Sequence, residues 1–172
     1  MSDKNIRIPP SSDDGLISSL VYSALSTSKE HLLRPANPEW IDEAGILLVR
    51  ECLSNSFNQK TVLQQLMEQG FKHDTIVDYC IPLAATKLGE SWVNDTLSFS
   101  EATVGSANLQ ILLKLIAENR EIGFESSNGK RFLICVHESE QHTLGALVMG
   151  DILRRQGHSL KIKLDAKFSE IC

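Results

Sequence analysis

No run of about eighteen apolar residues, the length a membrane-spanning helix needs, occurs in this sequence. Cysteine is sparse. Cys52, Cys80, Cys135 and Cys172 stand far apart, and no C-x-x-C pair signals a zinc site or a redox dithiol. Cationic clusters are equally scarce: none exceeds the pair Arg154–Arg155, and the formal net charge is −5. That balance argues against a nucleic-acid-binding surface, so direct DNA binding is not expected, though a partner that itself binds DNA is not excluded. The N-terminus, "MSDKNIRIPPSSDDG", has no apolar core segment of the kind a signal peptide carries. These absences lead us to expect a cytoplasmic protein with reduced thiols and no membrane contact. What is present is a chain of 172 residues, 42% of them hydrophobic, enough for one ordinary domain or two small ones.

Residues 1–12 read as a mobile leader. From Asp13 the spacing becomes helical, with Leu16, Leu20, Val21, Ala24 and Leu25 on one face. Two prolines in "LRPANPEW" break the pattern, and Asn37–Pro38 reads as an N-cap followed by proline at the first helical position. A helix over roughly 38–54 is expected to turn Trp40, Ile41, Ala44, Leu47, Leu48 and Cys52 inward. "NSFNQKTVLQQLMEQGF" predicts a short helix closed by Gly70. "HDTIVDYCIPLAATKLGESW" predicts another, capped by its His-Asp start, with Pro82 kinking it or dividing it in two. The next begins at a Ser98 cap with Glu101 three residues on, a capping box, and is expected to run through the middle of a bundle spanning 13–120.

Beyond this the composition changes. "EIGFESSNGK", residues 121–130, is rich in glycine, serine and asparagine and reads as a linker. "RFLICVH" is a continuous apolar run, as in a parallel strand buried on both faces. A helix over 143–157 with a Gly157 cap and an alternating strand, "SLKIKL", follow. Strand, helix and strand with short joints make a parallel βαβ unit. The fold class is therefore α + α/β: a helical bundle followed by the start of a Rossmann-like, flavodoxin-like domain over 131–172. One helix does not cover both faces of a parallel sheet, so the domain is expected to be truncated; self-association would be another way to cover it, and leaves room for a homo-oligomer.

Three features bear on chemistry. Glu140-x-His142-x-x-Gly145 sits where a strand's carboxyl end feeds a helix, the place where open α/β sheets bind ligands. Composition alone makes these ordinary loop residues, with Gly145 serving helix–strand packing. The placement instead suits a neutral imidazole as metal ligand, a carboxylate holding its other nitrogen, and a glycine giving a flat surface to a planar ligand. Trp92, in "LGESWVNDTLSF", is either a half-buried core residue or a plate over a flat cofactor. His137 reads as structural.

Together, "LGESWVNDTLSFSEATVG" and "ESEQHTLGALVMGDILRRQGH" resemble the cobalamin-binding modules, and among them the photosynthesis-gene antirepressors of the AerR/PpaA group, with the related C-terminal domain of AppA. The likeness runs from about residue 13 to the end. It implies a four-helix cap over a Rossmann-like domain, with His142 as the axial cobalt ligand within the Glu140, His142, Gly145 motif. It also implies Trp92 over the opposite corrin face, and Leu144, Phe99 and Thr103 among the cofactor contacts. Methyltransferase modules and repressors of the CarH type carry a Glu-His pair ten residues after the tryptophan, where this chain has Ala102 and Thr103. That departure fits the antirepressors and speaks against methyl transfer. The resemblance thus implies a non-enzymatic, light- or redox-responsive regulator that holds adenosylcobalamin or hydroxocobalamin and contacts a repressor of the PpsR/CrtJ type. A haem sensor, a corrinoid carrier of a methyltransferase and an interaction domain without cofactor are the other readings.

Overall fold

The computed structural model describes residues 38–119, 129–140 and 143–167. The expected leader, the helix from Asp13, Asn37, most of the linker, His142 and Cys172 lie outside the described residues.

Helix α1, Pro38–Cys52, starts with proline at its first position, where its fixed φ suits the helix, and carries Glu39 in its first turn and Arg50 in its last, both favourable to the helix dipole. Its buried stripe is Ile41, Ala44, Gly45, Leu48 and Cys52, at steps of three and four. Trp40 does not join it. One position off that stripe, its ring is 57% exposed, which corrects the expectation that it faces inward. The Asn108 side chain donates to the Cys52 carbonyl at 2.8 Å and so satisfies an acceptor that the helix end leaves open.

Helix α2, Gln59–Glu68, is capped by Asn58, whose side chain accepts from the amides of Lys60 and Thr61, and it closes at Gly70 with a φ of 91°. The next helical stretch has no His-Asp cap. Lys72 occupies the N-cap position without a side-chain bond, and His73 is already helical. A single turn, His73–Thr75, runs into a π-helical turn, Ile76–Cys80, and then into α3, Ile81–Val93. The wide turn has a cause in Pro82. Its ring would clash with the carbonyl four residues back, and widening the preceding turn, with the Ile81 amide bonded to the Ile76 carbonyl, relieves that clash without breaking the helix.

Helix α4, Phe99–Glu118, opens on the expected capping box: the Ser98 side chain accepts from the Glu101 amide, and the Glu101 carboxylate accepts from the Ser98 amide at 2.8 Å. Leu109, Leu112 and Ile116 are fully buried among Leu48, Leu66, Ile76, Ile81 and Leu88 of the other helices. This helix packs on α1, α2 and α3, and so takes the central position expected of it.

Strand β1, Arg131–His137, helix α5, Leu144–Arg155, and strand β2, Ser159–Ala166, follow among the described residues. The strands pair in parallel, from Arg131 beside Ser159 to His137 beside Ala166, with an irregularity between Cys135 and His137. The architecture is α + α/β: mostly helical, with a two-stranded parallel sheet at the C-terminal end. Helix α5 lies close on β2 because Gly150 has no side chain; a Cβ there would stand 2.7 Å from Ile162 Cδ1 and 2.9 Å from Leu160 Cδ2. Leu144 and Val148, on its other side, join the core of the bundle. The sheet does not meet the expectation of burial on both faces. Phe132, Ile134 and Val136 alternate with Leu133, which is 57% exposed, because α5 covers one face and the described residues leave the other open. Among the described residues no helix is long and apolar enough to cross a membrane.

Candidate functional site

The turn that joins α3 to α4 builds the first part of the site. After Val93 the chain reverses through Asn94 and Asp95, the latter at a φ of 56°, and the amides of Thr96 and Leu97 return to the Ser91 carbonyl at 2.9 and 3.1 Å. This tight reversal, followed at once by the Ser98 capping box, brings the end of one helix against the start of the next. Trp92 and Phe99 meet there edge to face, with ring centroids 5.9 Å apart and planes at 63°. Both rings remain open to solvent, Trp92 at 44% and Phe99 at 66%. Two apolar rings fixed in geometry yet uncovered are a plate available to a flat, apolar surface.

From that corner one face of α4 leads toward the β1–α5 junction. Phe99, Thr103, Ala107 and Gln110 share this face at steps of four, four and three. Thr103 is exposed and its hydroxyl donates back to the Phe99 carbonyl at 2.7 Å. At Gln110 the side-chain amide donates to the Thr143 hydroxyl at 3.1 Å. Thr143 holds the N-cap position of α5 but makes no side-chain cap bond to its own helix. Its hydroxyl instead ties the start of α5 to the bundle. Eleven residues of helix separate Phe99 from Gln110, a rise of roughly 16 Å.

At the junction itself, β1 ends in a turn in which the Glu140 amide donates to the His137 carbonyl at 2.9 Å. His137 Nδ1 accepts from the Ser139 amide at 3.2 Å and stands 2.8 Å from the Ser139 hydroxyl, a local structural role as its sequence setting suggests. Glu140 and Gly145 are exposed, and a Cβ on Gly145 would find nothing within 4 Å. Among the described residues no group takes the space above that glycine. Leu144, by contrast, turns into the core at 8% exposure.

The expected site residues thus do not all come together. Trp92, Phe99 and Thr103 come together at one end of the α4 face. Glu140 and Gly145 stand at the junction beyond its other end. Leu144 belongs to the core, and His142 lies outside the described residues. Among the described residues no cluster of three or more His, Cys, Asp or Glu side chains is placed to hold a metal ion.

Two groups of contacts had no signature in the sequence. Gln110 and Thr143 are 33 residues apart in the chain. Arg155 gathers three carboxylates: its Nε donates to Asp151 Oδ2 at 2.9 Å, its two terminal nitrogens bond both oxygens of Asp78, and Asp74 lies 3.5 Å away. Burial pushes the Asp78 carboxyl up, and the guanidinium only partly offsets this. Burial alone would lower Arg155, but the surrounding carboxylates outweigh it and hold its charge above the ordinary arginine range. We read the cluster as an ion pair that fastens the end of α5 to the π-helical turn. The adjacent pair Arg154–Arg155 was visible in the sequence, but not which of the two would be half-buried.

No family model matches the chain. It is 33% identical over 101 residues to an uncharacterised 20.5 kDa protein encoded in the bchF-crtJ intergenic region of Rhodobacter capsulatus, an alignment covering 57% of this chain and 52% of that protein. The chain therefore spans about half the length of the relative it matches.

Proposed function

We propose that the chain is a non-enzymatic, cobalamin-binding regulator that relays the state of its cofactor to a transcriptional repressor of the PpsR/CrtJ type. The observation that carries this reading is the uncovered Trp92–Phe99 pair at one end of an open α4 face whose other end is tied to the β1–α5 junction. A large planar macrocycle would have an apolar plate at one end of that face and, toward the other, space above Gly145 that the described residues leave open. The described residues fit the group in these respects. The relative from beside crtJ supports the regulatory setting in its coarser form, a protein of a photosynthesis gene region.

When bound, cobalamin would supply a cobalt centre whose ligation responds to light or redox state. The chain's own residues do the rest. His142 would donate an imidazole nitrogen to the metal, with Glu140 orienting the ring from two residues away in the sequence. Trp92 and Phe99 would pack against the flat ring and exclude water from it. A ligand that favours one arrangement of cap and junction over another shifts the population between them, and the exposed surface follows.

The test is the absorbance of the purified chain after loading with hydroxocobalamin, adenosylcobalamin or haemin. A corrin spectrum that survives gel filtration, and is lost in His142→Ala, is the expected result. Retention of haemin alone would move the reading to a haem sensor, and retention of no chromophore would overturn it.

A further inference from the structure

A second surface lies on the same two helices; it shares Ala107 and Gln110 with the α4 face and runs from them away from the aromatic corner. Between α4 and α5 runs a groove of about 470 Å³. Gln110 meets Thr143 at the start of α5, and Ala117 shares the groove with Arg154 near its end, so the two helices run alongside each other in one direction. The floor is Leu113, 4% exposed, with Leu147 beside it. Ala107 and Ala117 stand ten residues apart on the α4 wall, a rise of about 15 Å, or nearly three helical turns. Ile111 lies between them and is 44% exposed.

The charge around this apolar floor is the reverse of the protein's own. Lys114, with its side chain 76% exposed, and Arg154, also exposed, line the groove, while the formal net charge of the chain is −5. Among the described residues the one acid that lines it, Asp151, is 5% exposed and bonded to Arg155. Glu118 stands 3.8 Å from Lys114, a loose, solvent-screened pair. A short apolar trough of helical length, with alanines that admit close approach and two cations at its margin, has the complement of an amphipathic helix with carboxylates flanking its apolar row. One wall belongs to the bundle and the other to the βαβ unit, so any shift between them changes the width of the groove.

We infer that the α4–α5 groove is a docking surface for an acidic amphipathic helix of a protein partner, which on the regulatory reading above is the repressor. The inference rests on that reading for the identity of the partner. The test is the association kinetics of the full chain with a purified repressor of the PpsR/CrtJ type. Lys114→Glu with Arg154→Glu should slow association about tenfold and flatten its salt dependence, since reversed margin charges act chiefly on encounter. Ala117→Trp, which fills the trough without changing charge, should speed dissociation by a similar factor. Lys60→Glu, a single charge reversal of the same kind on α2, should leave both rates alone. Circular dichroism and melting temperature establish that each variant is folded. Binding by the parent chain that ignores all the groove variants would overturn this inference and leave the regulatory reading standing. A parent chain that binds no repressor would overturn the regulatory reading and the groove's assignment with it. Self-association of the chain alone, abolished by the same variants, would give the groove to a second copy and so overturn the inference.

Discussion

Cys52 and Cys80 are fully buried between helices, and burial pushes both thiols up to about 12, with Glu51 adding to the effect at Cys52. A thiol held protonated and out of solvent is neither nucleophile nor metal ligand. In the native protein both should resist a thiol-specific alkylating reagent at neutral pH and become modified only as urea unfolds the bundle, as peptide mapping would show. Labelling of either cysteine in the folded chain would contradict this packing. Trp92 makes the opposite case among single residues: it is large, apolar and positioned, yet nearly half exposed. Trp40 is more exposed still, so an uncovered tryptophan by itself carries no function. What separates the two is the partner ring of Phe99 and the helix face that leads away from it.

The helices owe their ends to short-range chemistry. Ser98→Ala should cost about 1 kcal/mol of stability by removing the acceptor for the first turn of α4. The hydrogen bonds from the Ser98 side chain and backbone hold the Glu101 carboxyl below its ordinary value. A carboxyl with a depressed folded pKa contributes stability that is present above its unfolded value and lost as pH falls through the folded one. The gap between wild type and Ser98→Ala should therefore be widest near neutrality and narrow on acidification below the ordinary carboxylate value of 4.5, as urea melts at a series of pH values would record. At β1 the element formed where its sequence pointed, but its surroundings did not. An apolar run specifies a strand and leaves open which of its faces will be covered.

For the molecule as a whole, α5 is fastened to the bundle at both ends by unequal bonds: a neutral hydrogen bond between Gln110 and Thr143, and the charged cluster around Arg155. Replacing Arg155 by methionine would leave Asp78 and Asp151 half-buried or buried without their cation, at a cost of about 3 kcal/mol. Asp78 already sits above its ordinary carboxylate value of 3.8 because of burial, and losing the guanidinium raises it further. A raised carboxyl is a cost that applies above its folded pKa and is relieved as pH falls through it toward the unfolded value. The deficit of Arg155→Met should thus be largest at neutral pH and shrink toward pH values near 4. A deficit that grows on acidification would mean that the cluster is not the fastening described.

Sequence by itself determined what depends on neighbours within a turn or two. The α1 stripe, the Ser98 cap, the reversal at Gly70, the disruption at Pro82 and the strand–helix–strand order were all legible, because periodicity and capping are local interactions. Tertiary structure decided the rest. Trp40 was left out of the core and Leu144 drawn into it by packing against helices remote in the chain. Asp78 and Arg155, separated by 77 positions, have no pattern that links them until the βαβ unit docks on the bundle. The same holds for the α4 face, where Trp92 and Thr143 become ends of one surface only because a single helix passes both. A site made of long-range neighbours is written in the sequence only as residues, and the fold supplies the distances.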